Sequence, residues 1–365
     1  LAITLYQLIV CLVVSGKGGD SDPIVEKLQS QEAVVREEGR RALLSIARED
    51  PPRLERYLTH NAWQVRRCAV EALATIPGAE ATRRLVEVVL GEADPSVEVV
   101  ARIGLQGRER DVTPDQLRKM LEAVRQEPIA EALRIMQHAY VDESMLVPLS
   151  RLLGKEYSYA IRSQACVILS KAEDISIPMD KRIDALLSAL KRECENPTAE
   201  PNVGHWACPM TENVKGLYRG AILRIAQRQQ GRDPSKNFVV AYLRSRLEKE
   251  GQGEFRKNLV LTLGYLGDPN VYGEIVKLAT TDKNLWCRRD AIGALGEIGN
   301  KDAIPLLSEA LQDPCSVTRD DIKGPAGYEQ WGVIYPIRDA AFSSLVKLGV
   351  KVRSEAPGSY KIVSQ

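Results

Sequence analysis

The sequence is poor in aromatic residues. Phe, Trp and Tyr make up 5% of its 365 residues, with three Phe and four Trp in the whole chain. Strand-rich proteins lean on aromatic and β-branched side chains, so this scarcity points away from sandwiches and barrels. An excess of either charge is also missing. Fifty Lys and Arg stand against 49 Asp and Glu, a formal net charge of +1, which gives no bulk electrostatic reason to bind nucleic acid or an acidic membrane. Histidine is limited to His60, His138 and His205, none followed by an acidic residue. The seven Cys contain no Cys-x-x-Cys pair, and their spacing is not that of a disulfide framework. No nucleophile elbow occurs, and the Gly-Lys-Gly-Gly at 16–19 lacks the spacing of a phosphate-binding loop. These absences leave no catalytic constellation and imply no cofactor, so the chain reads as a non-enzyme.

The one long apolar run lies at 1–14 (LAITLYQLIVCLVV). It is too short for a comfortable membrane span. It has the character of a secretory signal core, with Val14, Ser15 and Gly16 as a small-residue cleavage site, although no basic residue precedes Lys17. If that segment is genuine, the chain is exported, periplasmic or secreted; otherwise it is cytoplasmic. Cys11 reads as part of this core.

What the sequence has in quantity is repetition. The segment VRRCAVEAL at 65–73 recurs as CRRDAIGAL at 287–295, FRKNLVLTL at 255–263 and IRDAAFSSL at 337–345. VREEGRRAL at 35–43 and IRSQACVIL at 161–169 fit too, while 97–105 keeps the apolar positions but carries Glu98 in place of Arg. Val65, Ala69, Ala72, Leu73 and Ile76 recur at helical spacing and form one apolar stripe. Its middle position is small in nearly every copy (Gly39, Ala69, Ala101, Ala165, Ala291, Ala341), which lets a neighbouring helix approach closely. Each such helix is followed by a Gly- or Pro-marked turn and a second amphipathic helix. The period, 30 residues from Arg36 to Arg66 and 32 from Arg256 to Arg288, suits a stack of helical hairpins.

The Val-Arg-x-x-Ala core, the Asp313-Pro314 step and AIGALGEIG at 291–299 resemble HEAT repeats, most closely the HEAT-like subtype of phycobilisome lyase subunits. The resemblance covers 24–350, strongly at 30–90 and 252–350. It implies an all-α fold, a right-handed α-solenoid of roughly nine stacked hairpins with the first helices outside and the second helices lining a concave face. Some HEAT-like metal hydroxylases carry paired His-Glu dipeptides, and this chain has none. The domain reading is a signal-like segment at 1–16, a linker at 17–23, the solenoid at 24–350 and a tail at 351–365 that forms a short hairpin or frays.

Two stretches break the period, at 195–213 and 315–334. Both are rich in loop-forming residues and fall between a second helix and the next first helix. Insertions at one junction type project from one edge of a solenoid. All four Trp lie at such junctions, so Trp206, Tyr328 and Trp331, with His205, are the expected partner-binding anchors, since Trp is a frequent interface anchor. The partner is another protein of unknown identity. Cys194, His205 and Cys208 offer three of the four ligands a closed zinc site needs. Alternatively, Cys194 and Cys208 pair as a disulfide in an exported chain, or are ordinary loop thiols.

The recurring Arg36, Arg66, Arg162, Arg256, Arg288 and Arg338 stand at one position beside the stripe. There they pair with Asp or with helix ends of neighbouring repeats, a structural role. The second helices lean basic, at Arg53, Arg56, Arg83, Arg84, Arg118, Lys119, Lys181, Arg182, Lys191, Lys236, Arg244 and Arg246. Two alternatives to a scaffold follow. One is a mildly positive groove for nucleic acid or an acidic partner. The other, by family resemblance alone, is a lyase- or chaperone-like subunit acting on a chromophore protein.

Overall fold

The structure, a computed structural model, describes residues 22–198, 210–228, 237–318 and 333–363. The chain forms two compact units, 1–132 and 133–365. The first contains α1 (Pro23–Gln29), α2 (Ala33–Glu49), α3 (Glu55–Leu58, entered by a 3-10 turn), α4 (Trp63–Leu73), α5 (Ala79–Gly91), α6 (Pro95–Gly104) and α7 (Pro114–Leu121). Helix α8 (Gln126–Met136) crosses the boundary. The second unit continues with α9 (Leu146–Arg151), α10 (Tyr159–Leu169), α11 (Met179–Glu195), α12 (Met210–Gln227), α13 (Phe238–Leu247) and α14 (Glu254–Tyr265). It ends with α15 (Tyr272–Thr281), α16 (Leu285–Ile298), α17 (Ile304–Ala310), β1 (Val317–Thr318), β2 (Val333–Ile334), α18 (Pro336–Lys347), β3 (Val352–Ala356) and β4 (Ser359–Ile362).

The small residues at the centre of the stripe explain the layering. Gly39, Ala69, Ala101, Ala165, Ala291 and Ala341 are all buried. Consecutive first helices therefore pack on one another: α2 on α4 and α4 on α6 in the first unit, then α10, α12, α14, α16 and α18 in the second. The approach is tight where α16 meets α18. A Cβ built on Gly296 would lie 2.8 Å from Ser344 Cα, so only glycine fits there. Second helices lie beside the first helix that follows them, as α15 does beside α16 and α5 beside α6. Fully buried Leu43, Leu85 and Leu117 fill the space between, each burial contributing roughly 2 kcal/mol.

Turn chemistry fixes the hairpins. Asp94 caps α6 by accepting from the Ser96 amide at 2.8 Å, and Pro95 opens that helix. Thr113 and Gln116 form a reciprocal capping box on α7. Asn284 caps α16.

Three places differ from the sequence reading. Cys194, read as loop, belongs to the last turn of α11. Helix α12 begins at Met210 and so takes in the last four residues assigned to the first insertion, since no Gly or Pro falls in its first turn. The second insertion is closed at its base by a two-residue antiparallel ladder, Val317 opposite Ile334 and Thr318 opposite Val333.

The tail forms the hairpin β3–β4, which packs on α18. Phe342 stacks on Tyr360 with ring centroids 4.6 Å apart, and Tyr360 donates to Asp339 Oδ1 at 2.6 Å. Gly358 turns the hairpin at φ 69°, with its Cα pressed onto the Tyr335 ring. The hairpin covers α18 where a second helix would otherwise lie, as the end of a repeat stack requires.

Candidate interaction surface

The repeated arginine is the element that builds the junction edge. It sits on the first turn of a first helix, so its guanidinium reaches back over the linker it has just left. Arg36 Nη1 donates to the carbonyls of Ser30 and Gln31 at 2.9 and 2.7 Å. Arg66 does the same to His60 and Asn61 at 2.8 and 2.9 Å, and Arg288 to Asp282 and Lys283 at 3.0 and 3.4 Å. Arg256 reaches Leu247 and Glu250 at 2.9 and 3.1 Å. These carbonyls end the preceding helix or its linker, and a cation there is favoured by the helix dipole as well.

The rest of the guanidinium faces forward in Arg66, Arg256 and Arg288. Arg66 makes a two-pronged pair with Glu92, at 2.8 and 2.9 Å, in the linker that opens the next repeat. Its hydrogen bonds hold the Glu92 carboxyl below the usual carboxylate range against the opposing effect of burial. Arg256 pairs with Glu274 at 2.8 Å, and Arg288 Nη2 reaches Cys315 Sγ at 3.3 Å. Arg338, beyond the second insertion, donates to Asp313 O at 2.6 Å and Gly358 O at 3.1 Å while lying 4.2 Å over the Tyr335 ring.

Arg162 differs from the rest. It is fully buried, and its Nη1 donates to Thr198 Oγ1 at 3.1 Å with Glu193 Oε2 3.8 Å away. Glu193 in turn accepts from the Thr198 amide at 2.7 Å and from its hydroxyl at 2.8 Å. This closed set fixes the first residues of the 195–213 insertion to the core. The next first helix, α12, carries Lys215 at the arginine position, buried and 3.6 Å from Glu254. Tyr218 fills the position that is small in most other repeats, its hydroxyl donating to Leu153 O at 2.7 Å. Burial keeps the Tyr218 phenol protonated far above its ordinary range. Beside this anchor lies a groove of about 680 Å³, lined among others by Arg151, Lys155, Glu156, Arg192 and Asn196. A groove of about 480 Å³ in the first unit is bounded by His60, Asn61, Arg66, Arg84, Glu87 and Glu92.

Both insertions thus leave the stack at residues touched by the repeat arginines, Thr198 by Arg162 and Cys315 by Arg288. The anchors expected from the sequence, Trp206, Tyr328, Trp331 and His205, lie outside the described residues, as does Cys208. Cys194 accepts from Asn258 Nδ2 at 3.5 Å. Of the other Trp, Trp63 opens α4 at 39% exposure and Trp286 lies half-buried under Arg289, whose guanidinium is 5.2 Å from the ring.

The basic second helices are largely neutralised. Arg56 pairs with Asp22, Arg83 and Arg84 with Glu80 and Glu87, and Arg118 and Lys119 with Asp115. Lys181 pairs with Glu143, Lys191 with Glu250, Arg244 with Asp268 and Arg246 with Asp184. Lys236 lies outside the described residues. An excess counted along the sequence is therefore mostly local ion pairs, and the continuous positive groove it suggested is reduced to a few places.

One polar chain was not anticipated. Arg219 on α12 donates to Asn258 on α14 at 2.7 Å and to Asp290 on α16, all three buried. Asn258 and Asp290 both stand two residues after a repeat arginine, on the stripe, and that shared register was the available signal. Among the described residues no group of three His, Cys, Asp or Glu is placed to hold a metal, and no helix is long and apolar enough to cross a membrane.

Residues 240–323 match the family model for HEAT repeats. No curated protein matches the chain in sequence. Among solved structures, the crystal structure of Kap121p bound to Ste12p is similar over 89% of this chain and 36% of that one, at 13% identity and a TM-score of 0.53. This chain therefore spans about a third of Kap121p's length. The X-ray structure of YIBA of E. coli aligns over 91% of this chain and 93% of that one, at 15% identity and a TM-score of 0.30. A second Kap121p crystal structure aligns over 90% and 34%, at 15% identity and a TM-score of 0.30. The repeat match and the first of these likenesses support an all-α solenoid fold, with HEAT repeats matched over 240–323.

Proposed function

We propose that the protein is a non-catalytic scaffold that binds another protein through its two long insertions. The observation that carries this reading is the fixing of each insertion's first residues by a repeat arginine. In regular repeats that arginine closes a short linker; here it holds the root of a long one against a stiff helical stack. Binding residues are commonly carried on loops positioned by such a scaffold. Kap121p, solved with Ste12p bound, is a precedent in fold for a helical stack that holds a protein partner.

Replacing 199–209 and 319–332 with short Gly-Ser linkers retains Thr198, Cys315 and the β1–β2 ladder. Helicity and thermal midpoint are expected to stay unchanged, while a partner crosslinked by the intact chain is lost. Recovery of the same partner by the shortened chain would sink the proposal. As to subtype, the 291–299 segment supports kinship with the repeats of phycobilisome lyase subunits. Coexpression with a bilin-carrying protein, read as bilin attachment, tests whether that kinship extends to activity.

A further inference from the structure

The end of α10 gathers an unusual number of cations. Arg182, buried on the first turn of α11, donates to Leu169 O at 3.2 Å and Lys171 O at 2.9 Å. Lys171 Nζ donates to Met136 O at 3.0 Å and Ala139 O at 2.9 Å. Arg224 Nε donates to Ser170 Oγ at 3.1 Å from the last turn of α12. Arg228, exposed just past that helix, is close enough to Arg182 to act on it electrostatically. Lys171, Arg182 and Arg224 converge on 169–171, and Arg228 acts on Arg182.

Carbonyl capping explains two of them. Lys171 and Arg182 satisfy helix ends, which is a structural task. It does not explain Arg224, whose hydrogen bond among the described residues is from Nε, nor Arg228. None of the four makes an ion pair with a carboxylate among the described residues, whereas most arginines of the second helices do. Asp174 acts on Lys171. The excess positive charge is therefore left facing solvent at the Arg224–Arg228 side.

We infer that Lys171, Arg182, Arg224 and Arg228 form a docking site for an acidic segment of a protein partner, with Arg224 and Arg228 making the contacts. The inference rests on the scaffold reading and gives its partner a chemistry. A nucleic acid suits the site less well. Phosphate-backbone binding draws on many cations along a stripe, and Lys181, Lys191 and Arg246 on the second helices are already paired with carboxylates. The site is also separate from the first insertion. Arg182 and Arg224 lie toward the ends of α11 and α12 remote from the 195–213 connection, about 20 Å along α11 from Glu195.

The test uses the full chain and fluorescein-labelled decaglutamate, followed by anisotropy at low and physiological salt, with a labelled oligothymidylate of equal charge alongside. The peptide is expected to bind, more weakly as salt rises. Arg224→Glu with Arg228→Glu is expected to weaken it about tenfold or more. Arg228→Glu alone, at an exposed site that cannot disturb the core, is expected to weaken it a few-fold. Arg118→Glu with Lys119→Glu, a charge reversal elsewhere, should leave binding within about twofold. Absence of peptide binding, equal loss in the Arg118 and Lys119 control, or tighter binding of the oligonucleotide would each overturn the site. Shortening both insertions should leave peptide binding intact. If that shortening abolishes partner capture while Arg224→Glu with Arg228→Glu changes nothing, the scaffold stands and this site falls. The reverse outcome keeps the site and removes the insertions from binding.

Discussion

In the first unit Arg66 lies across the mouth of its repeat, 19% exposed, with one side on the linker carbonyls and the other on Glu92. In the second unit Arg162, at the same place in its repeat, is wholly inside, and its partners are Thr198 and Glu193. The backbone position is shared, and what differs is the chain that follows. After α5 the next repeat begins within four residues and the arginine needs only to close a turn. After α11 a long excursion begins, and the arginine is sealed under its root. A repeat can therefore carry an insertion without losing order at the junction, provided that the ladder side chain is drawn inward to hold it.

The comparison breaks first at Arg162. Arg162→Ala leaves Glu193 buried without its cation, and removing one member of a buried pair typically costs about 3–5 kcal/mol. Urea unfolding of the second unit should show a loss of that size. Adding Glu193→Leu to Arg162→Met should recover a good part of it, because a buried pair replaced by apolar groups is often neutral. A loss no larger than that of an exposed arginine would mean that the Arg162 set holds nothing.

The stripe and the hairpin period were legible in the sequence because helical periodicity and small-residue spacing are properties of single segments. The repeat arginines were legible as a position, but half of their partners were not. Backbone carbonyls five and six residues back carry no side-chain signal, and Glu92 or Thr198 becomes a partner only once repeats stack. The same limit hid Arg219, Asn258 and Asp290, which meet across three helices. Counting basic residues in the second helices overstated the groove, since Asp184, Glu250 and Asp268 come from other segments. Charge along a chain and charge on a surface agree only where partners are local. The hairpin tail was one of two readings, and Phe342 against Tyr360 decides it by giving the hairpin something to pack on.

A sharper contrast comes from the Arg66 side. Arg66→Ala removes a partly buried two-pronged pair and two carbonyl bonds, and is expected to cost about 1–2 kcal/mol in the first unit, well below the effect at Arg162.

The smallest effect is the pH dependence of the same pair. The Glu92 carboxyl sits below its ordinary value of 4.5, chiefly through its hydrogen bonds from Arg66. A depressed carboxylate contributes stability that is present above the unfolded value and is lost as pH falls through the lower folded value. Glu92→Gln should therefore be less stable than the parent at neutral pH, and the gap should narrow below about pH 4.5 as Glu92 itself takes up a proton. Unfolding midpoints of the two chains from pH 7 down to pH 3 measure this directly. No gap at any pH in that range would mean that the stabilisation is hydrogen bonding alone, which the amide retains, and that charge adds nothing at the mouth of a regular repeat.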